Sequence, residues 1–289
     1  MSRTANSVSP PPTMPRSTAA VPDHRGFGGN RATARVLLVL TQFAGDNASH
    51  GVSELSRELN MTKNMTHRAL RTLEDFGYLV RDATHTRYEL GPGVLQLGRL
   101  GLPPLNLPQL AEPYMRRLQE LSEETVSLAI RFGETAITIA GLRGRGDVAR
   151  RVPFGRAVPL HASPASRAIL AYLPDDEIEA YLATATLKRF TPTTLVTPEA
   201  VWREVATVRE RGYALSFGDH VHRGATGIAF PVLAGDGTAH GSVTIAGPSD
   251  RFTPERRLEL IPELNEIMCE LNRHSRLYPA EQPSAPTPA

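Results

Sequence analysis

Apolar side chains recur first at helical spacing. Val36, Leu37, Val39, Leu40 and Phe43 predict a helix over 34–43. Val52, Leu55 and Leu59 repeat at intervals of three and four and predict a second over 51–59. Asn60-Met61 interrupts it, and Thr62 carries the hydroxyl to cap a third helix over 63–76. Thr66, Ala69, Leu70, Leu73 and Phe76 form the inward face of that helix, and Gly77 is its stop. The pattern then shortens. Residues 78–80 and 87–90 read as two strands joined by a polar tip, a hairpin. Gly91-Pro92-Gly93 ends it, and 94–102 reads as a short helix before Pro103-Pro104.

Beyond residue 106 the two periods mix. Helices are predicted over 107–124, 164–173, 176–183, 198–211 and 253–276. Strands are predicted near 126–132, 135–142, 147–152, 214–217, 226–233 and 239–246. Gly235-Asp236-Gly237 between the last two is a hairpin signal. Strand pairs alternating with helices predict an α+β fold with an antiparallel sheet. Residues 1–30 and 278–289 lack apolar periodicity and are expected to be disordered tails.

Helix, short helix, tight turn, helix, hairpin is the order of a winged helix-turn-helix. On the third helix Asn64, His67, Arg68 and Arg71 stand at i, i+3, i+4 and i+7, opposite the apolar face. Such a row presents hydrogen-bond donors at the width of a DNA major groove. Thr62 and Lys63 lie at its N-terminal end, where backbone N–H groups also meet phosphate. His85 and Arg87, at the hairpin tip, are placed for the backbone or the minor groove. The bland alternative is a solvated face whose cations Glu74 and Asp75 balance. Helix spacing and hairpin together favour the DNA reader.

Charge sharpens this assignment only mildly. The 289 residues carry 32 basic and 30 acidic side chains, but the first 100 hold 12 and 8. All but Lys63 and Lys188 of the basic residues are arginine. The single cysteine, Cys269, excludes an internal disulfide framework and a Cys-only zinc site. The chain has neither an apolar run of membrane-spanning length nor an apolar signal core, so the cytoplasm is expected, with no membrane partner.

Enzymatic signatures are weak. There is no nucleophile elbow and no P-loop. Gly144-Arg145-Gly146-Asp147-Val148-Ala149 faintly resembles a dinucleotide loop, but Arg150-Arg151-Val152-Pro153 after it is no helix start. Asp219, His220 and His222 offer a metal-ligand pairing that a polar connection explains equally well. No enzyme activity, metal or cofactor is therefore assigned.

Several segments stand in a recognisable order. They are Met61-Thr62-Lys63-Asn64-Met65-Thr66-His67-Arg68-Ala69-Leu70, Gly77-Tyr78, Arg87-Tyr88-Glu89-Leu90-Gly91-Pro92 and Val94-Leu95-Gln96-Leu97-Gly98. Further on come Gly155-Arg156-Ala157-Val158-Pro159-Leu160-His161-Ala162, Leu173-Pro174-Asp175, Val208-Arg209-Glu210-Arg211-Gly212-Tyr213-Ala214 and Gly247-Pro248-Ser249-Asp250-Arg251-Phe252-Thr253-Pro254-Glu255-Arg256. With these, residues 31–277 resemble the IclR-type bacterial transcriptional regulators. The resemblance implies a winged helix-turn-helix over 31–91, a linker helix over 92–106 and a GAF-like domain over 107–277, a curved antiparallel sheet flanked by helices. It implies a double-stranded pseudo-palindromic operator, a small organic effector, and a homodimer or homotetramer. Asn64-Met65 replaces the family's Ser-Thr at the groove, which implies an altered base preference.

In the effector domain Ser163-Pro164 reads as an N-cap and first-turn proline, with His161 just before and Ala165 just after. His161 is either an effector ligand or a turn histidine bonding its own backbone. Relatives that bind small oxo-acids surround the ligand with Asp, Cys and Ser side chains. The corresponding positions here are Phe217, Gly227, Thr244 and Ala246, with Asp219 beside them. The resemblance thus implies a larger, less polar effector, such as an aromatic acid, a lactone or an amide. The alternative function is a ligand sensor whose winged helix serves protein contacts rather than DNA.

Overall fold

The computed structural model describes residues 30–44, 49–100, 107–144, 154–155, 157–216 and 224–277. The expected tails, apart from Asn30, the expected strand over 147–152, the end of the expected linker helix, and Phe217, Asp219, His220 and His222 lie outside the described residues. Contacts divide the chain into two compact units between Gly93 and Val94.

The first unit holds α1 (Arg31–Thr41), β1 (Ser49–His50), α2 (Val52–Glu58), α3 (Lys63–Asp75), β2 (Leu79–Arg81) and β3 (Tyr88–Leu90). Val39, Phe43, Leu55, Leu59, Leu70, Leu73, Leu79 and Tyr88 bury one core between helices and hairpin. Thr62 caps α3 by accepting from the Met65 N–H at 3.3 Å. Phe76, expected on the inward face, is exposed instead, because the helix ends at Asp75 and Phe76 is its C-cap. The three strands are antiparallel in the order β1-β3-β2. β1 is two residues long, too short for any periodicity to announce. α4 (Pro92–Leu100) follows, beginning two residues before the apolar pattern indicates.

Gly91 explains how the hairpin meets the end of α3. Its N–H donates to the Tyr78 carbonyl at 2.8 Å, and Gly93 N–H donates to the Gly77 carbonyl at 2.9 Å. A Cβ on Gly91 would sit 2.4 Å from the Gly77 carbonyl oxygen, so no larger residue fits unmoved.

The second unit runs α5 (Leu107–Ser122), β4 (Thr125–Phe132), β5 (Thr135–Leu142), β6 (Ala157–Pro159), α6 (Pro164–Leu170), α7 (Asp175–Thr184) and α8 (Pro198–Arg211). β7 (Ala214–Ser216), β8 (Ala225–Leu233), β9 (Ala239–Pro248) and α9 (Pro254–Ser275) complete it. Six antiparallel strands form one sheet in the order β6-β5-β4-β9-β8-β7. The two faces differ in side-chain size. Val126, Leu128, Ile228, Phe230, Val243 and Ile245 pack against α5 and α9. Ala129, Ala136, Ala214 and Ala229 pack with α6, α7 and α8. Large residues seal the first face, and small ones let helices approach the second closely. β6 is a strand the sequence pattern does not show; it pairs with β5 through Ala157–Pro159.

Candidate functional site

α3 presents its two faces as the spacing requires. Thr66, Ala69, Leu70 and Leu73 are buried. Thr62, Lys63, Asn64, His67, Arg68 and Arg71 are exposed. Lys63, Arg68 and Arg71 form no ion pair with a described residue. Glu74, the residue best placed to neutralise them, turns instead to Arg81 on β2, whose Nε donates to it at 3.0 Å. The cationic row is therefore not neutralised by the described acids around it.

The wing is shaped by Asp82. Its carboxylate accepts from Thr84 Oγ1 at 2.6 Å, Thr86 N–H at 3.0 Å and Arg87 N–H at 3.1 Å. The Thr84 hydrogen bond, with the backbone donors, holds that carboxyl below its usual range. His85 is exposed at the tip with a left-handed φ of 55°.

Arg87, placed near the tip, is anchored within the unit. Its guanidinium donates to Ser49 Oγ at 2.9 Å, to the Ser49 carbonyl at 2.7 Å and to Glu54 at 2.9 Å. It ties β3 to β1 and α2. Burial pushes the Glu54 carboxyl up, but donors from Gly51 and Arg87 outweigh this and leave it below its ordinary value. Arg87 is thus a strut of the wing, and a 38-residue sequence separation hid its partner from the sequence.

Three of the effector candidates fall on the small-residue face of the second sheet. Gly227 pairs with Ala246, and Thr244 pairs with Ala229 on one side and Ser127 on the other. Gly227, Thr244 and Ala246 therefore share one face. Pro164 and Ala165 open α6, which lies over this face: Ser242, also on it, donates to the Ala165 carbonyl at 2.9 Å. Ser163 caps α6 by accepting from Ser166 N–H at 3.1 Å. The Thr244 hydroxyl is buried and has no partner among the described residues. A buried hydroxyl left unpaired costs about 1–3 kcal/mol, so this atom is poised to meet a polar group from elsewhere.

His161 corresponds to neither sequence reading in full. It is fully buried. Nδ1 bonds the Tyr181 hydroxyl at 2.8 Å and Nε2 bonds the Lys188 carbonyl at 3.1 Å. Both ring nitrogens are engaged, so the bond to its own backbone is replaced by links to α7 and the segment after it. Burial, reinforced by the Arg167 charge, holds the imidazole below its ordinary value. Burial also pushes the Tyr181 phenol up to about 12.

Three arginines, none of them a predicted site residue, brace this unit. Arg167 on α6 is buried. It donates to Glu204 at 3.3 Å and to the Leu215 carbonyl, and burial pulls it down to about 10. Arg257 on α9, also buried, donates to the Ser216 carbonyl at 2.7 Å. Together they hold the C-terminal end of β7, beside Gly227. Arg251 is more exposed but binds buried Glu124 through two hydrogen bonds of 2.6 and 2.7 Å. Gly247 makes that pair possible, since a Cβ there would lie 2.4 Å from the Glu124 carboxyl carbon. Of the three, Arg251 alone lies in the family-like segment from Gly247 to Arg256.

No described helix is long and apolar enough to cross a membrane. Among the described residues no group of His, Cys, Asp and Glu is arranged to hold a metal ion.

Comparison with known proteins agrees with this geometry across both units. The IclR helix-turn-helix domain model matches residues 32–83, and the bacterial transcriptional regulator IclR C-terminal model matches residues 102–272. The HTH-type transcriptional repressor AllR of Escherichia coli K12 is 32% identical over 228 residues, covering 79% of this chain and 84% of AllR. An IclR homolog from Microbacterium hydrocarbonoxydans, solved in complex with 4-hydroxybenzoate, superposes with a TM-score of 0.70 at 26% identity. That match covers 84% of this chain and all 100% of the other. An IclR regulator structure from Alicyclobacillus acidocaldarius gives a TM-score of 0.73 at 24% identity over 86% of this chain and 99% of its own, and shares the fold with its curved antiparallel sheet. A helix-turn-helix and an effector-binding domain thus stand in one chain, which is a regulator and not an enzyme. The chain belongs to the IclR family of bacterial transcriptional regulators.

Proposed function

We propose that this regulator reads a specific operator through the outer face of α3 and releases or gains it in response to a weakly polar effector bound on the small-residue face of the second sheet. The observation that carries the DNA reading is the row of unneutralised cations, Lys63, Arg68 and Arg71, flanking Asn64 and His67. In this reading Asn64, His67 and Arg68 meet base edges, and Lys63, Arg71 and His85 meet phosphate. Thr62 sets the helix start, and Arg87 holds the wing at the correct height. One recognition helix offers few base contacts, so two copies on a pseudo-palindromic site are proposed, as a dimer or a dimer of dimers. A winged helix used only for protein contacts would have no need of an uncompensated cationic row.

The effector reading rests on Thr244, the one polar side chain among Gly227, Thr244 and Ala246. An effector meeting Gly227, Thr244 and Ala246 finds one unpartnered hydroxyl, that of Thr244, among small side chains, the Ser242 hydroxyl on the same face being spent on the Ala165 carbonyl. That suits an aromatic acid, lactone or amide better than a small diacid, whose polar groups would be buried without partners. The 4-hydroxybenzoate bound by the Microbacterium homolog belongs to the favoured class. Thermal-shift titration tests this: 4-hydroxybenzoate or a related aromatic acid is expected to stabilise the protein, and Thr244→Val to reduce the effect. Stabilisation by glyoxylate or pyruvate, and by nothing apolar, would refute it. By differential affinity, the effector favours one arrangement of the paired DNA heads over the other.

A further inference from the structure

Phe230 belongs to the large-residue face of the sheet, opposite Thr244, and with Met268 of α9 it borders a hollow of about 430 Å³. This is the size of a small-molecule site. Tyr172 forms another apolar wall, and Arg273 and Arg276 from the end of α9 line it too. Asn272, in the same wall, is spent on the Leu233 N–H and the Pro231 carbonyl, so it has little left to offer a ligand. The two guanidiniums are different. Both are exposed, and neither forms an ion pair with an acid among the described residues. Glu270, three residues before Arg273, feels the Arg273 charge but accepts its hydrogen bonds from Arg117 of α5. Cations at a helix C-terminus suit its dipole, but that does not account for their bordering an apolar hollow.

We propose that this hollow is a second ligand site, separate from the effector face, and that it takes an apolar monocarboxylate. The carboxylate lies between Arg273 and Arg276, each able to donate two charge-assisted hydrogen bonds. The hydrocarbon body lies against Phe230, Met268 and Tyr172.

The chain carries its own reporter, because its single cysteine, Cys269, lines the same hollow and is exposed. Alkylation of Cys269 by iodoacetamide, followed by intact mass on the full chain, reads occupancy. Octanoate is the probe and octan-1-ol the neutral control, with protection expressed as the rate ratio without and with the additive. Octanoate is expected to slow alkylation several-fold and saturably, while octan-1-ol does not. Arg273→Ala with Arg276→Ala is expected to abolish the protection while circular dichroism stays unchanged. Thr244→Val, on the other face, is expected to retain it. No protection, equal protection by the alcohol, protection that survives loss of both arginines, or protection lost in Thr244→Val would each overturn the proposal. So would alkylation that is already slow without probe and speeds up on dilution, since a second copy of the chain would then be the occupant.

Discussion

Arginine does two opposite jobs in this protein, and the partners of each guanidinium separate them. Arg87, Arg167, Arg251 and Arg257 spend theirs on the protein's own carbonyls and carboxylates. Arg68 and Arg71 stand exposed and form no ion pair with a described acid. Arg68→Ala is therefore expected to weaken binding to the preferred operator by ~1–3 kcal/mol with little effect on stability. Fluorescence anisotropy on matched and mutated duplexes checks this, and equal losses on every sequence would make Arg68 a phosphate contact. Gly247→Ala should act in the opposite sense. It crowds the buried Glu124 carboxylate and should cost about 1–3 kcal/mol in chemical denaturation, without a direct effect on the DNA face. His161 adds a pH dependence. Burial keeps the folded imidazole below its ordinary value of 6.5, so the unfolded chain takes up its proton first. Stability should be full above that value and fall as the pH drops through it. Thermal melts from pH 7.5 to 5 on the wild type and on His161→Gln check this, the variant losing the step that the histidine contributes.

Among the elements, those with a long period or a named cap are legible from the sequence. Thr62 and Gly77 place α3, Pro198 and Gly212 bracket α8, and Gly235-Asp236-Gly237 marks the β8–β9 hairpin. Thr62→Ala should accordingly destabilise the first unit by about 1 kcal/mol, measured by urea titration, because the Met65 N–H loses its partner. β1 and β6 are not legible. They have two and three residues, and their existence depends on partners 38 residues away for β1 and on β5 for β6. The site shows the same division. The outer face of α3 follows from helical spacing alone, whereas the role of Arg87 needs the fold to bring Ser49 and Glu54 beside it. The sharing of one face by Gly227, Thr244 and Ala246 needs the strand register. His161 is visible as a candidate, but its partners Tyr181 and Lys188 come from α7 and beyond, 20 and 27 residues away.

At the scale of the molecule, two units with separate cores divide the labour: one carries an uncompensated cationic helix, the other a sheet with one tight face and one small-residue face. The first unit is proposed to read DNA. The most direct test is anisotropy of the purified full chain on duplex taken from upstream of its own gene, across a salt series, against a scrambled duplex and with Lys63, Arg68 and Arg71 all changed to alanine. A DNA-reading α3 predicts tighter binding to the native sequence, and affinity that falls with salt at a log–log slope of about −0.9 per phosphate contact. It also predicts a shallower slope with lost site preference in the triple variant. Binding no tighter than to the scrambled duplex, followed by failure of random-sequence selection with and without aromatic acids, would contradict it.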